Sequence, residues 1–198
     1  MNPLNTIKGT IIAGVVLAIV IAIIAGLLNT GVHFNPPSFI VWLHVLSGIT
    51  WIGLLYYFNF VQVPALAAAA ADQGGPGGAG ISKYVAPRAL LWFRWGAVAT
   101  WITGATYLAH TGLFIPAFTL SKGAMVIGVG AWLGTIMLFN VWVFIWPNQK
   151  KVLGLVEATA EQIAKARRVA FIASRTNTLL SIPMLMSMVA FGHGGFFL

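Results

Sequence analysis

The sequence contains no cysteine, and only three of its 198 residues are acidic: Asp72, Glu157 and Glu161. Without thiols there can be no disulfides, no thiolate-held iron–sulfur cluster and no covalently attached c-type haem. With so few carboxylates, a copper or zinc site lacks its usual acidic or sulfur ligands. Charged residues of either sign make up only 7% of the chain, whereas hydrophobic residues make up 59%. That composition belongs to an integral membrane protein rather than to a water-soluble domain.

Five apolar runs reach the roughly 20 residues that a spanning helix needs: about 9–31, 38–64, 87–111, 123–146 and 168–192. The expectation is an all-α integral membrane protein, a bundle of five transmembrane helices forming a single domain over residues 1–198, with no internal repeat. The first run is too long for the apolar core of a signal peptide, and no clean small-residue cleavage site follows it. The Ala- and Gly-rich stretch 65–82 reads as a flexible connector. Within residues 148–168 the alternation of apolar and charged positions predicts an amphipathic helix, about 150–165, lying on the inner membrane surface.

Lys and Arg set the orientation. With Lys8 cytoplasmic, Lys83, Arg88, Lys150, Lys151, Lys165, Arg167 and Arg168 all fall inside and only Lys122 falls outside. The N-terminus is then cytoplasmic and the C-terminus periplasmic, in a multi-pass protein of a bacterial inner membrane. The net charge of +8 is topogenic on this reading and faces anionic lipid headgroups. No nucleic-acid motif is present.

This threading brings all four histidines to the outer side. His33 follows helix one, His44 lies six residues into helix two, roughly 9 Å below the edge, and His110 and His193 end helices three and five. An imidazole inside the hydrocarbon is a functional-site hypothesis by default, and imidazole is a common axial ligand of haem iron. Gly48 and Trp51 follow His44 along one face, where the missing side chain of Gly48 would admit a flat macrocycle. The expectation is b-type haem, with His44, His110 and His193 as candidate iron ligands and His33 nearby. Set against it is the bland reading, in which His44 hydrogen-bonds a neighbouring helix and the others are interfacial residues.

A second constellation lies toward the inner side. Arg94 and Arg175 sit roughly 10 Å in from that edge, level with Asn59, Gln62, Asn140, Asn177 and Thr178. Arginine is a rigid fork suited to planar anions, and no acid in the spans is available to neutralise either one. Arg94, Arg175, Asn140, Asn177 and Asn59 are therefore candidate anion- or substrate-binding residues. The alternative is that both arginines snorkel to the headgroups. Trp42, Trp92, Trp95, Trp142 and Trp146 read as an interfacial aromatic belt. Gly96, Gly128, Gly130 and Gly134 read as close helix contacts. Pro183 is expected to kink helix five.

The stretches LHVLSGITWIGLLYYFNFVQ (43–62), FRWGAVATWITG (93–104), NVWVFIWPNQKKV (140–152) and ASRTNTLLSIPMLMSMVAFGH (173–193) resemble the N-terminal membrane domain of the bacterial membrane-bound urate oxidase (urate hydroxylase) family. The most specific pieces are the WPNQKK run and the pattern Arg175, Asn177, Leu180 and Pro183. The resemblance implies an oxidoreductase that oxidises urate and passes electrons to a cytochrome c domain. No Cys-x-x-Cys-His of such a domain occurs in this sequence, so the electron acceptor is expected to be a separate cytochrome c or a larger membrane redox complex, in a homo- or hetero-oligomer. The alternative is a non-catalytic haem-b or cofactor-free accessory subunit of a respiratory or oxygenase complex.

Overall fold

The computed structural model describes residues 2–29 and 31–195, all in helices, turns and connections with no strand among them. Thr30, at the expected end of helix one, and the chain's last three residues, on which the C-terminal orientation bears, lie outside the described residues. The chain divides into two compact units, Met1–Pro36 and Pro37–Leu198.

In the N-terminal unit a 3-10 turn, Pro3–Asn5, is capped by the Asn2 side chain, which accepts from the Leu4 N–H at 2.9 Å. Helix α1, Ile7–Asn29, follows, and no residue in it is buried. A 23-residue helix with mean hydropathy 3.2 has its backbone bonds satisfied internally and apolar side chains all round, the form a lipid-facing span takes.

The second unit is built on α2 (Pro36–Ala71), α3 (Ala86–His110), a short α4 (Phe114–Phe118), α5 (Met125–Val152) and α6 (Ala160–Gly192). Four helices, α1, α2, α5 and α6, are long and apolar enough to cross a membrane. Helix α3 has the length, 25 residues, but is not among them, because Arg88 and Arg94 with several Thr and Gly dilute its apolar face. The exposed surface of the unit is studded with large apolar side chains such as Ile49, Phe60, Ile102, Leu179 and Ile182, as expected where lipid is the solvent. The protein is a membrane protein.

Several expected boundaries move, each for a local reason. Helix α2 runs on to Ala71, since the alanines after Pro64 are the best helix formers, which leaves a shorter connector than the predicted 65–82. The separate amphipathic helix expected at about 150–165 does not form. Helix α5 instead continues to Val152 and ends before Gly154, whose φ of 69° favours glycine. Helix α6 then starts at Ala160 on a capping box, with Thr159 accepting from the Gln162 N–H and the Gln162 side chain accepting from the Thr159 N–H. It runs as one helix through Pro183.

Three π-helical turns recur: Tyr57–Gln62, Ile81–Val85 and Asn140–Ile145. Each precedes a proline, Pro64, Pro87 or Pro147. A proline lacks its N–H and its ring collides with the carbonyl four residues back; widening the preceding turn relieves that collision without breaking the helix.

The core joins α2, α3, α5 and α6: Trp51, Leu55, Phe58, Phe93, Ala97, Met137, Val141, Ile145 and Met184 form one buried cluster. A smaller cluster of Leu108, Ala117, Ala124 and Ile127 lies under α4. Between helices in lipid, such cores are held by close packing and by buried polar side chains.

Candidate functional site

At the end of the bundle that carries His44, α2 and α3 approach through small residues. A Cβ on Gly96 would lie 3.4 Å from the Trp51 backbone nitrogen, and one on Gly48 would lie 3.8 Å from Thr100 Cγ2. The His44 ring lies against Gly104, where a Cβ would come within 2.9 Å of Cε1. His44 Nδ1 is 2.8 Å from the Thr100 carbonyl and 3.3 Å from Thr103 Oγ1. A carbonyl only accepts, so Nδ1 carries the proton, and in the neutral ring Nε2 keeps its lone pair. This matches the bland reading of His44, a hydrogen bond to a neighbouring helix, and it also leaves Nε2 in the state of a metal ligand.

The other predicted ligands of the same unit, His110 and His193, are not brought to it. His110 is exposed at the end of α3, six residues beyond Gly104 and so about 120° away around that helix. His193 is exposed at the end of α6, with Nδ1 2.9 Å from the Val189 carbonyl. His33 is exposed in the N-terminal unit. Among the described residues no three His, Cys, Asp or Glu gather as a metal site would require. The face proposed for a macrocycle, Gly48 and Trp51, is filled by α3, and Trp51 is only 2% exposed. Among the described residues of this unit, the face of His44 thus carries one imidazole and no slot, which does not fit a bis-histidine haem b there.

The residues expected toward the inner side also separate. Arg94 is half-buried and stacks on Trp146 of α5, with Cζ 3.9 Å from the ring centroid; the aromatic face takes the place of the missing carboxylate. Arg175 is exposed and lies 5.3 Å from the Phe171 ring on its own helix. Asn140 donates to Asn177 Oδ1 at 2.9 Å, and Asn177 donates to the Met137 carbonyl at 3.0 Å, so this pair cross-links α5 and α6 in the core. Asn140 also borders a shallow groove of about 390 Å³ with Phe144, Arg168 and Thr176.

Asn59 leads to a larger space than this groove. It lines a cavity of about 740 Å³ at the opposite end of the bundle from His44, between the π turn of α2 and the facing ends of α3, α5 and α6. The walls are apolar, with Phe58, Phe93 and Phe171 among them, and Arg167 and Arg168 border it as exposed side chains. The Asn59 amide donates to the Leu55 carbonyl and to Ser174 Oγ, both at 2.8 Å. Gln62, one helical turn on, lines the same cavity at 8% exposure, and its Oε1 is buried without a hydrogen-bond partner among the described residues. Trp51 Nε1 and Trp142 Nε1 are likewise without partners, but only Gln62 of the three borders this cavity.

Arg167, Arg168, Gln149, Ser174 and Ser82 complete the polar lining. Sequence reasoning read the two arginines only as topogenic charge and passed over Gln149 and Ser174. The available signal was the Asn-x-x-Gln spacing just before Pro64, which puts two carboxamides on one face of a distorted turn.

Residues 110–197 match the family model described as Urate oxidase N-terminal. No curated protein and no solved structure matches the chain. The stretches 43–62 and 93–104, which carry His44, Asn59, Gln62 and Arg94, lie outside the matched range. By that match, residues 110–197, from the end of α3 through α6, carry the pattern of the urate oxidase N-terminal family, and the resemblance seen in the sequence is shown for that range.

Proposed function

We propose that the chain is a redox domain of a bacterial inner membrane, with five spans and a cytoplasmic N-terminus, that binds a planar anionic heterocycle of the urate type in the cavity at Gln62 and passes its electrons to a separate cytochrome c or a larger membrane complex. In this topology α3 is the fifth span, the cavity opens to the cytoplasm, and His44 lies toward the periplasm. The observation that carries the proposal is the cavity itself: aromatic walls for a flat ring, a buried carboxamide oxygen without a partner among the described residues, and two guanidinium groups at the border. Arginine forks suit a delocalised anion, and an apolar pocket with a few convergent polar groups is the usual form of a small-molecule site.

The roles first expected for Arg94 and Arg175 shift accordingly. Arg94 holds α3 to α5 through Trp146, and the anion contact passes to Arg167 and Arg168. The test is equilibrium binding of labelled urate to the purified protein in detergent. Wild type should bind, and Arg167→Ala with Arg168→Ala should weaken binding about tenfold or more, the order expected for losing a charge-assisted hydrogen bond. Binding unchanged in that double variant would sink the proposal.

A second reading, an accessory subunit without substrate chemistry, is favoured by the self-contained Asn140–Asn177 pair and the Arg94–Trp146 stack. It predicts no urate binding and stable co-purification with a larger complex.

A further inference from the structure

We infer that Gln62 is the specificity-determining residue of the cavity, and that it reads the cis-amide edge of a cyclic amide, a ring N–H beside a ring carbonyl. The inference rests on the reading of the cavity as a ligand site and goes beyond it by naming the recognising group and the feature recognised.

Gln62 Oε1 is buried with no donor among the described residues, and a buried acceptor left unmade is costly. A ligand that brings an N–H to Oε1 relieves that cost. The amide group of Gln62 carries both an acceptor and two donors, so it can pair twice with a neighbour that presents a donor and an acceptor side by side, which is the edge of a lactam, a ureide ring or a purine dione. Asn59 cannot take this part. Its two amide protons are committed to Leu55 and Ser174, and only its oxygen remains for the cavity.

The backbone fixes Gln62 in place. It is the last residue of the π turn Tyr57–Gln62, two residues before Pro64, so its register on α2 is set by the proline rather than free to adjust. Phe58, Phe93 and Phe171 supply apolar faces for a ring. No carboxylate is among the residues lining the cavity, which disfavours a cationic ligand, and Arg167 and Arg168 suit negative charge at the border.

The experiment uses the full chain in lipid nanodiscs, with urate, its mono-N-methylated derivatives and uracil as probes, on wild type, Gln62→Leu and Gln62→Glu. For wild type, methylating the ring nitrogen that faces Gln62 should weaken binding about tenfold or more. Gln62→Leu should bind urate more weakly by a similar factor and should no longer distinguish that methylated compound from urate. Gln62→Glu should be weaker still, since it replaces the donors with a second acceptor and sets a negative charge against an anion.

Replacing an unpartnered acceptor by an apolar side chain in an apolar wall should leave the melting temperature unchanged or higher. A melting temperature lowered by several degrees in Gln62→Leu would mark Gln62 as structural and overturn the assignment. Gln62→Leu binding urate as wild type does, or wild type treating all the methylated compounds alike, would overturn it while leaving the cavity as a urate site. Wild type binding neither urate nor uracil would remove the cavity reading and the assignment together. Should Gln62→Leu fail to fold, the comparison of methylated compounds on wild type still decides.

Discussion

Arg94 and Arg175 look alike in the sequence, six or seven residues into a helix with no acid in reach. Rotation about the helix axis separates them. Arg94 turns inward onto Trp146, and Arg175 turns outward along Phe171. Two residues correspond to about 200° around a helix, so Arg175 and Asn177 had to face opposite ways, and depth alone could not place both in one pocket. Arg94→Ala should lower stability by about 0.5–2 kcal/mol, the worth of a partly desolvated cation–π pair, whereas Arg175→Ala should leave it unchanged. Thermal unfolding in detergent compares the two, and equal effects would contradict the difference in burial. Asn177 is fully buried and serves Asn140 and Met137 at once. Asn177→Leu should cost about 1–2 kcal/mol in the same assay, near the upper end for polar contacts between membrane helices.

At the scale of elements, three prolines each widen the turn before them, and two of those turns carry the buried carboxamides of Asn59, Gln62 and Asn140. Periodicity predicted the helices and missed the turns, because a π turn inserts a residue without changing the apolar pattern on either side. Removing the proline removes the reason for the wide turn. Pro64→Ala should let residues 57–62 tighten toward α geometry, shifting Gln62 by about one position or 100°, with lowered urate affinity and no loss of thermal stability; unaltered affinity would mean that the register is held elsewhere. The α2–α3 crossing depends on Gly104 in the same local way. Gly104→Val should push the His44 ring off its seat and weaken its bond to Thr100, destabilising the fold by about 1–3 kcal/mol, as overpacking does. A melting temperature equal to wild type would show that the ring has room to move.

For the whole molecule, the open question of topology falls on α3, the helix that is long enough but not apolar enough to count as a span. Its packing bears on the proposed fifth span, since α3 contributes Leu90, Phe93 and Ala97 to the core shared by α2, α5 and α6. A chain with no cysteine allows a direct measurement, in which single cysteines at Ser82 and Ser121, on either side of α3, are labelled in intact cells with a membrane-impermeant maleimide. With five spans, Ser121→Cys reacts and Ser82→Cys reacts only after lysis. Labelling of both from one side would mean that α3 does not cross.

The amino-acid sequence by itself determined the solvent, the helical class, the approximate position of every long helix and the family pattern of residues 110–197, because each depends on composition, length or local order along one chain. It also placed Asn59, Gln62 and Asn140 at one depth, since depth is a sum of helical rises. Only the tertiary structure decided that Asn140 donates to Asn177, that α3 fills the face of His44 and that the buried carboxamide oxygen without a partner among the described residues belongs to Gln62. Those outcomes depend on how helices are rotated and pressed together, and the rotation is set by which side chains of different helices fit, information that no single segment contains.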